Sequence, residues 1–263
     1  MALTEDRMTS APSDSASSAD DLAKMTLFEH LGELRNRLII CILAVVVMTT
    51  VSWFLYNQAI DFMIKPYHDF LAHHPGKNVS GGQLPIISPL EGLTTRLKVS
   101  AYGGIALSSP VLLWELWRFI TPGLHKNEKR YVVPFVSAAV VLFASGVTTA
   151  ILVFPKALNF LINVSGNGVV PLFSPQKYFS LYVFMCLIFG AVFMYPLIVV
   201  FLEIAGVVPS AKWRKWRRPA IVVICVSAAV VTPSSDPISF LAMAVPMLVF
   251  YEGAILFGRI LHK

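Results

Sequence analysis

Apolar residues dominate long stretches of this chain, and polar residues gather between them. The stretches near Leu38–Tyr56, Val99–Leu116, Tyr131–Phe154, Tyr178–Ile204, Ala220–Val231 and Ile238–Phe257 predict six membrane-spanning helices, because roughly 20 mostly apolar residues are needed to cross a bilayer as a helix. The fifth stretch is short enough to be re-entrant, so the last two form either two spans or a short hairpin. Both alternatives leave the chain ends on one side. Upstream, Leu27, Leu31, Leu34 and Leu38 recur at helical spacing and give an amphipathic start that runs into the first span. Thr26-Leu27-Phe28-Glu29 has the form of a capping box at its beginning. Residues 1–24 are rich in Ser, Ala and Asp and have no apolar core, which predicts a disordered cytoplasmic tail and no signal peptide. Residues 25–263 then form the membrane domain. The fold class expected is an all-α membrane protein: a bundle of six transmembrane helices with two short final spans.

Composition agrees with this class. Of 263 residues, 56% are hydrophobic and 14% charged, against about 25% charged in soluble domains. The net charge of +6 suggests nucleic acid at first sight, but in a multispanning chain basic loops set orientation instead. Of the 21 Lys and Arg, only Lys65, Lys77, Arg96, Lys98, Lys156 and Lys177 fall on one side of the predicted spans. The other side, with both termini, should be cytoplasmic. The basic loop Lys212 to Arg218, with Trp213 and Trp216, fits an interfacial anchor or a docking surface.

The exported side carries a long Pro- and Gly-rich loop over residues 57–97, a length that marks a functional or mobile segment. Its start, Ile60 to Leu71, has the mixed pattern of a helix lying at the interface. Pro110, Pro134, Pro155, Pro196, Pro219 and Pro246, with Gly103, Gly104, Gly146 and Gly190, predict kinked and closely packed helices and a concave bundle.

Enzyme chemistry finds no support. All six histidines lie outside the predicted spans, which deprives an intramembrane Ser-His protease of its base. No nucleotide-binding or zinc motif occurs, and the His73-His74 pair lacks further metal ligands. Cys41, Cys186 and Cys225 sit singly in apolar runs. No cofactor or metal is called for. Repeat symmetry of the solute-carrier kind is also not evident.

Acidic residues remain. Glu29 and Glu33 share a helical face before the first span, and Glu128 lies before the third. A carboxylate can take a guanidinium through two parallel hydrogen bonds, so these positions could receive arginines of a partner. Equally, Glu33 and Arg37 have the spacing of an intrahelical pair, Glu29 can close its capping box, and Glu128 can favour a helix N-terminus. Glu115, Glu203 and Glu252 lie within or at the edge of spans, where acids usually face protein or water. Glu115 and Glu203 are close enough to the interface to be hydrated. Glu252 is the deepest, and either an internal polar partner or another chain would suit it.

The stretch His30-Leu31-Gly32-Glu33-Leu34-Arg35-Asn36-Arg37-Leu38 resembles the opening motif of TatC proteins. Ser88-Pro89-Leu90-Glu91 with Leu97-Lys98-Val99-Ser100 is similar to the start of that family's second helix. Leu107-Ser108-Ser109-Pro110-Val111 and Trp117-Arg118-Phe119-Ile120-Thr121-Pro122-Gly123-Leu124 continue the likeness, as do Glu128-Lys129-Arg130 and Thr232-Pro233-Ser234-Ser235-Asp236-Pro237. The match is colinear from about Phe28 to Gly258.

This resemblance implies a non-enzymatic receptor of the bacterial inner membrane that recognises twin-arginine signal peptides on folded cargo. It implies assembly with single-span TatA- and TatB-like subunits, self-association, and transport driven by the protonmotive force. By motif position it makes Glu33 and Glu128 signal-contacting acids, flanked by Arg35, Phe119, Lys129 and Arg130. Pro66, Glu91, Thr232 and Asp236 become partner-binding or structural positions, and Glu252, by its depth in a span, is a further candidate for such a contact. Three positions depart from the family pattern: Met194 stands where many members carry a buried Glu, Lys129 replaces an arginine and forgoes bidentate contacts, and Phe240 replaces a frequent Gln.

Overall fold

Runs of Leu, Ile, Val and Phe without strand-like alternation can satisfy their backbone in a bilayer only as helices, and helices are what the chain forms. The structure is a computed structural model that describes residues 14–73, 83–120, 132–164, 173–204, 216–232 and 236–261, with side chains from residue 32 to 256 apart from a few at helix ends. Among these the elements are α1 (Asp14–Phe54), α2 (Tyr56–Met63), α3 (Lys65–His73), α4 (Glu91–Ile120), α5 (Val132–Val164), α6 (Pro175–Phe193), α7 (Tyr195–Ile204), α8 (Arg217–Val231) and α9 (Pro237–Leu261). Gly32–Phe54, Val133–Val164, Pro175–Glu203 and Pro237–Leu256 are long and apolar enough to cross a membrane. At 15 residues, α8 is too short to count among them.

The beginning of α1 differs from expectation. It starts at Asp14, well ahead of Thr26, so residues 14–24 of the expected tail are helical. Low hydrophobicity excludes a packed core for that segment, but it does not prevent an Ala- and Asp-containing stretch from extending a long helix in register. Acidic residues also suit a helix N-terminus. The interfacial helix expected near Ile60 to Leu71 is two short helices, α2 and α3, meeting at Ile64. Pro66 sits in the first turn of α3, where a missing N–H costs nothing.

Close approach organises the bundle. α1 packs chiefly along α4, and α5 along α6. At Gly104 a Cβ would lie 2.6 Å from backbone atoms of Thr49, and at Gly146 it would lie 2.9 Å from the Cα of Gly190. Both are glycine-mediated crossings of the kind that lets backbones touch in membranes. Pro134 and Pro219 fall in first helical turns, whereas Pro110, Pro155 and Pro246 lie inside helices. The expected fourth span is broken at Met194, because Pro196 has no N–H to continue the ladder. The Met194 N–H turns to the carbonyls of Ala191 and Val192 instead.

The main core runs along α5, α6 and α9, with α2 and α3 at one end. Tyr67, Phe154, Tyr178, Tyr182, Met185 and Phe189 are among its large buried members. Tyr178 donates its hydroxyl to the Met63 carbonyl at 2.9 Å, and its ring meets those of Tyr67 and Phe154 edge-on. By contrast, no residue of the apolar part of α1 is buried.

Candidate functional site

Two helix faces converge on one guanidinium. Glu33 and Arg37 are four residues apart on α1 and therefore share a face. Arg37 donates from Nε to Oε1 of Glu33 at 3.1 Å, and Nη2 donates to the same oxygen. Its Nη1 donates to Oε2 of Glu115 on α4, also at 3.1 Å. The side chain of Glu115 is 8% exposed, that of Arg37 15% and that of Glu33 36%. Arg37 thus ties a nearly enclosed acid to a half-exposed one and links α1 to α4. Glu115 is not left to hydration; it is buried against a cation, the condition that makes a buried acid tolerable. Among the described residues the cluster comprises two carboxylates and one guanidinium.

On the other side of α4 stands an aromatic cluster. Trp117, two residues beyond Glu115, meets Phe135 of α5 at 4.4 Å between centroids and Phe201 of α7 at 4.9 Å, both edge-on. Leu113, Val136 and Ala139 complete the cluster, with Met194 packed against it. Met194, expected from the resemblance to stand in place of a carboxyl, is part of apolar packing here. Phe119 is half-buried one turn from Glu115. Arg35 is exposed, and at two residues from Glu33 it lies on the opposite side of α1. Glu128, Lys129 and Arg130 lie outside the described residues, as does the Glu29 side chain.

One of the remaining acids differs from expectation. Glu203 on α7 is 2% exposed, and neither carboxylate oxygen has a hydrogen-bond partner among the described residues. Glu252 has an internal polar partner, one of the two alternatives expected for it: half-exposed, it accepts from Arg217 Nη2 at 2.6 Å. The reason is hairpin geometry: α8 and α9 leave a common turn, and Arg217 and Glu252 lie nearly equally far from it. At about half exposure for each partner, this pair adds at most about 1 kcal/mol.

The remaining predicted positions are at the other end. Glu91 is buried and joins the starts of two helices. It accepts the Ile87 N–H at 2.8 Å and the Ser88 N–H at 3.4 Å, closing a capping box on α4. It also accepts the Gln176 N–H at the start of α6. Hydrogen bonding from the Ser174 hydroxyl first, and then from the Ile87 N–H, holds its carboxyl below the usual range. Asp236 is buried and accepts the Ser239 N–H at 2.7 Å, as a helix N-cap before Pro237 at the first helical position. Thr232 is buried at the end of α8, and Pro66 is half-buried on α3.

Two contacts were beyond sequence reasoning. Arg37 and Glu115 are too far apart in the chain for any local pattern. Arg96 lies over Trp53 at 4.5 Å and Tyr56 at 5.1 Å, and aromatic residues at a span end were the available signal for it.

Comparison with known proteins agrees with this architecture. The family described as Sec-independent protein translocase protein (TatC) matches residues 29–246. A Sec-independent protein translocase protein TatC of Frankia casuarinae is 41% identical over 90% of this chain and 66% of its own length, just under two thirds. The corresponding protein of Koribacter versatilis is 37% identical over 89% of this chain and 85% of its own. A crystal structure of the twin arginine translocase receptor TatC in DDM superposes with a TM-score of 0.72 at 31% identity, covering 87% of this chain and 99% of that one. With the family match, the identities and the shared fold in agreement, the chain belongs to the TatC family of Sec-independent protein translocase proteins.

Proposed function

We propose that this chain is the receptor subunit of a twin-arginine translocase, capturing Arg-Arg signal peptides at its cytoplasmic face with Glu33 and Glu128. The observation that carries the reading is the Glu33 carboxylate, which already holds a guanidinium through two of its nitrogens. A surface that binds an internal arginine in this way has the chemistry to bind an incoming one. Phe119, Lys129 and Arg130 belong to the same surface by motif position, and Arg35 flanks it from the far side of α1. Two carboxylates, Glu33 and Glu128, suit a dibasic ligand.

In this reading six segments cross the inner membrane: α1, α4, α5, the broken α6–α7 pair, α8 and α9. At about 1.5 Å per residue, α8 reaches about 22 Å, short of a core of about 30 Å, and the bilayer adapts locally around it. The Lys and Arg distribution supports both ends being cytoplasmic. The chain has no catalytic role. It self-associates, recruits single-span TatA- and TatB-like subunits, and works on the protonmotive force.

The test is site-specific photocrosslinking in membranes of an Arg-Arg signal peptide, beside its Lys-Lys counterpart, to the parent protein and to a Glu33→Ala, Glu128→Ala variant. Arg37 keeps Glu115 when Glu33 is lost, so the variant should fold. Removing desolvated charge partners costs about 2–5 kcal/mol, so crosslinking should fall at least about tenfold. Equal crosslinking of both peptides, with no effect of the substitutions, would refute the mechanism.

A further inference from the structure

The same guanidinium that shows what Glu33 can bind also stands in the way. We propose that Arg37 is an internal occupant of the Glu33 carboxylate, and that Glu115 is the second seat onto which an incoming signal arginine displaces it. The proposal rests on the receptor reading above.

Three observations carry it. Arg37 gives Nε and Nη2 to Glu33, as a ligand arginine would. It already gives Nη1 to Glu115, on a different helix. Exposure rises from Glu115 through Arg37 to Glu33, so a ligand arriving from outside meets Glu33 first and finds Arg37 behind it. Leaving Glu33 would strand a half-enclosed cation if nothing else received it. Glu115 removes that obstacle, because the guanidinium stays paired throughout. The exchange needs only rotation of a side chain already held at one nitrogen, without separation of α1 from α4.

Glu115 therefore acts through Arg37 and is a positioning residue that never touches the signal. A site occupied internally for most of the time shows an apparent affinity reduced by the fraction that is open. The device raises the threshold for weak basic ligands and leaves a dibasic signal, with a second contact elsewhere, able to displace Arg37.

The experiment is equilibrium binding of a fluorescent Arg-Arg signal peptide to the full-length protein in detergent, with parent, Arg37→Gln, Glu115→Gln and the double variant. Arg37→Gln should tighten binding several-fold, up to about tenfold if Arg37 occupies Glu33 nine-tenths of the time. Glu115→Gln should weaken it several-fold, because Arg37 then has Glu33 as its only charged seat. In the Arg37→Gln background, Glu115→Gln should have no effect, which separates action through Arg37 from a direct field of the second acid. Weakening by Glu115→Gln in both backgrounds, or no effect in the parent, overturns the proposal. If Arg37→Gln does not fold, Arg37→Lys replaces it, since an ammonium lacks the fork that spans both acids; it too must tighten binding. A Glu33→Ala substitution added to Arg37→Gln separates the two levels. Undiminished binding there defeats the receptor mechanism itself. Lost binding there, with no tightening by Arg37→Gln alone, defeats only the displacement.

Discussion

Replacing Gly146 by alanine sets two effects of opposite sign against each other. Within an isolated helix the change is favourable by about 0.8–1 kcal/mol, because alanine restricts the unfolded chain and glycine does not. In the bundle the new Cβ would lie 2.8 Å from the Phe189 carbonyl carbon and 2.9 Å from the Gly190 Cα, well inside the 3.4 Å at which ordinary contacts begin. The obstructing atoms are backbone, so no rotamer change relieves the clash, and α5 and α6 must part. A gap of 0.5–1 Å forfeits roughly a quarter to a half of each dispersion contact along the seam, and overpacking of this kind costs about 1–3 kcal/mol. The same seam carries Phe154, Tyr182 and Met185 of the main core, which places the cost toward the upper end. The net expectation is a loss of about 1–2 kcal/mol. Thermal unfolding of the detergent-solubilised protein, followed with a thiol-reactive dye that reports exposure of Cys186 on α6, should show a midpoint lowered by about 2–8 °C. Gly253 is the control, since a Cβ there meets nothing within 4 Å; Gly253→Ala should leave the midpoint unchanged or raise it. A Gly146→Ala protein as stable as the parent would refute the close-approach argument.

Asp236→Ala removes the N-cap of α9 and should cost about 1 kcal/mol, with Asp236→Asn retaining most of it; denaturation in detergent measures both. Tyr178→Phe leaves the Met63 carbonyl without its buried donor and should cost about 1–3 kcal/mol in the same assay. Glu91 contributes to the acid limb of stability. Its folded carboxyl sits below the unfolded value, so its contribution is complete above about pH 4.5 and fades as pH falls through the lowered folded value. Melting from pH 6 to pH 3 should therefore steepen on the acid side for the parent, and Glu91→Gln should flatten that part of the profile.

Much of this molecule is legible in its residues. The membrane class, the order of apolar helices, the Met194–Pro196 break and the glycine crossings all follow from composition, length and local backbone chemistry. So does the Glu33–Arg37 pair, because four-residue spacing on a helix determines proximity. Glu91 and Asp236 were recognisable as motif positions, and the capping geometry that gives them work lies within three residues of each.

What the residues alone did not decide is which side of each helix turns inward. In water, an amphipathic pattern marks the buried face. In a bilayer the lipid-facing and protein-facing sides are both apolar, and that pattern fades. Glu203 and Glu252 show the consequence: similar acids in similar runs, one enclosed and the other exposed beside Arg217. Glu115 belongs to the same class. Only the packing of α4 against α1 brings it to Arg37, across 78 residues of chain, and so turns a local ion pair into a bridge between two carboxylates. Local spacing determined the pair; tertiary contact, which no period in the chain encodes, decided the cluster.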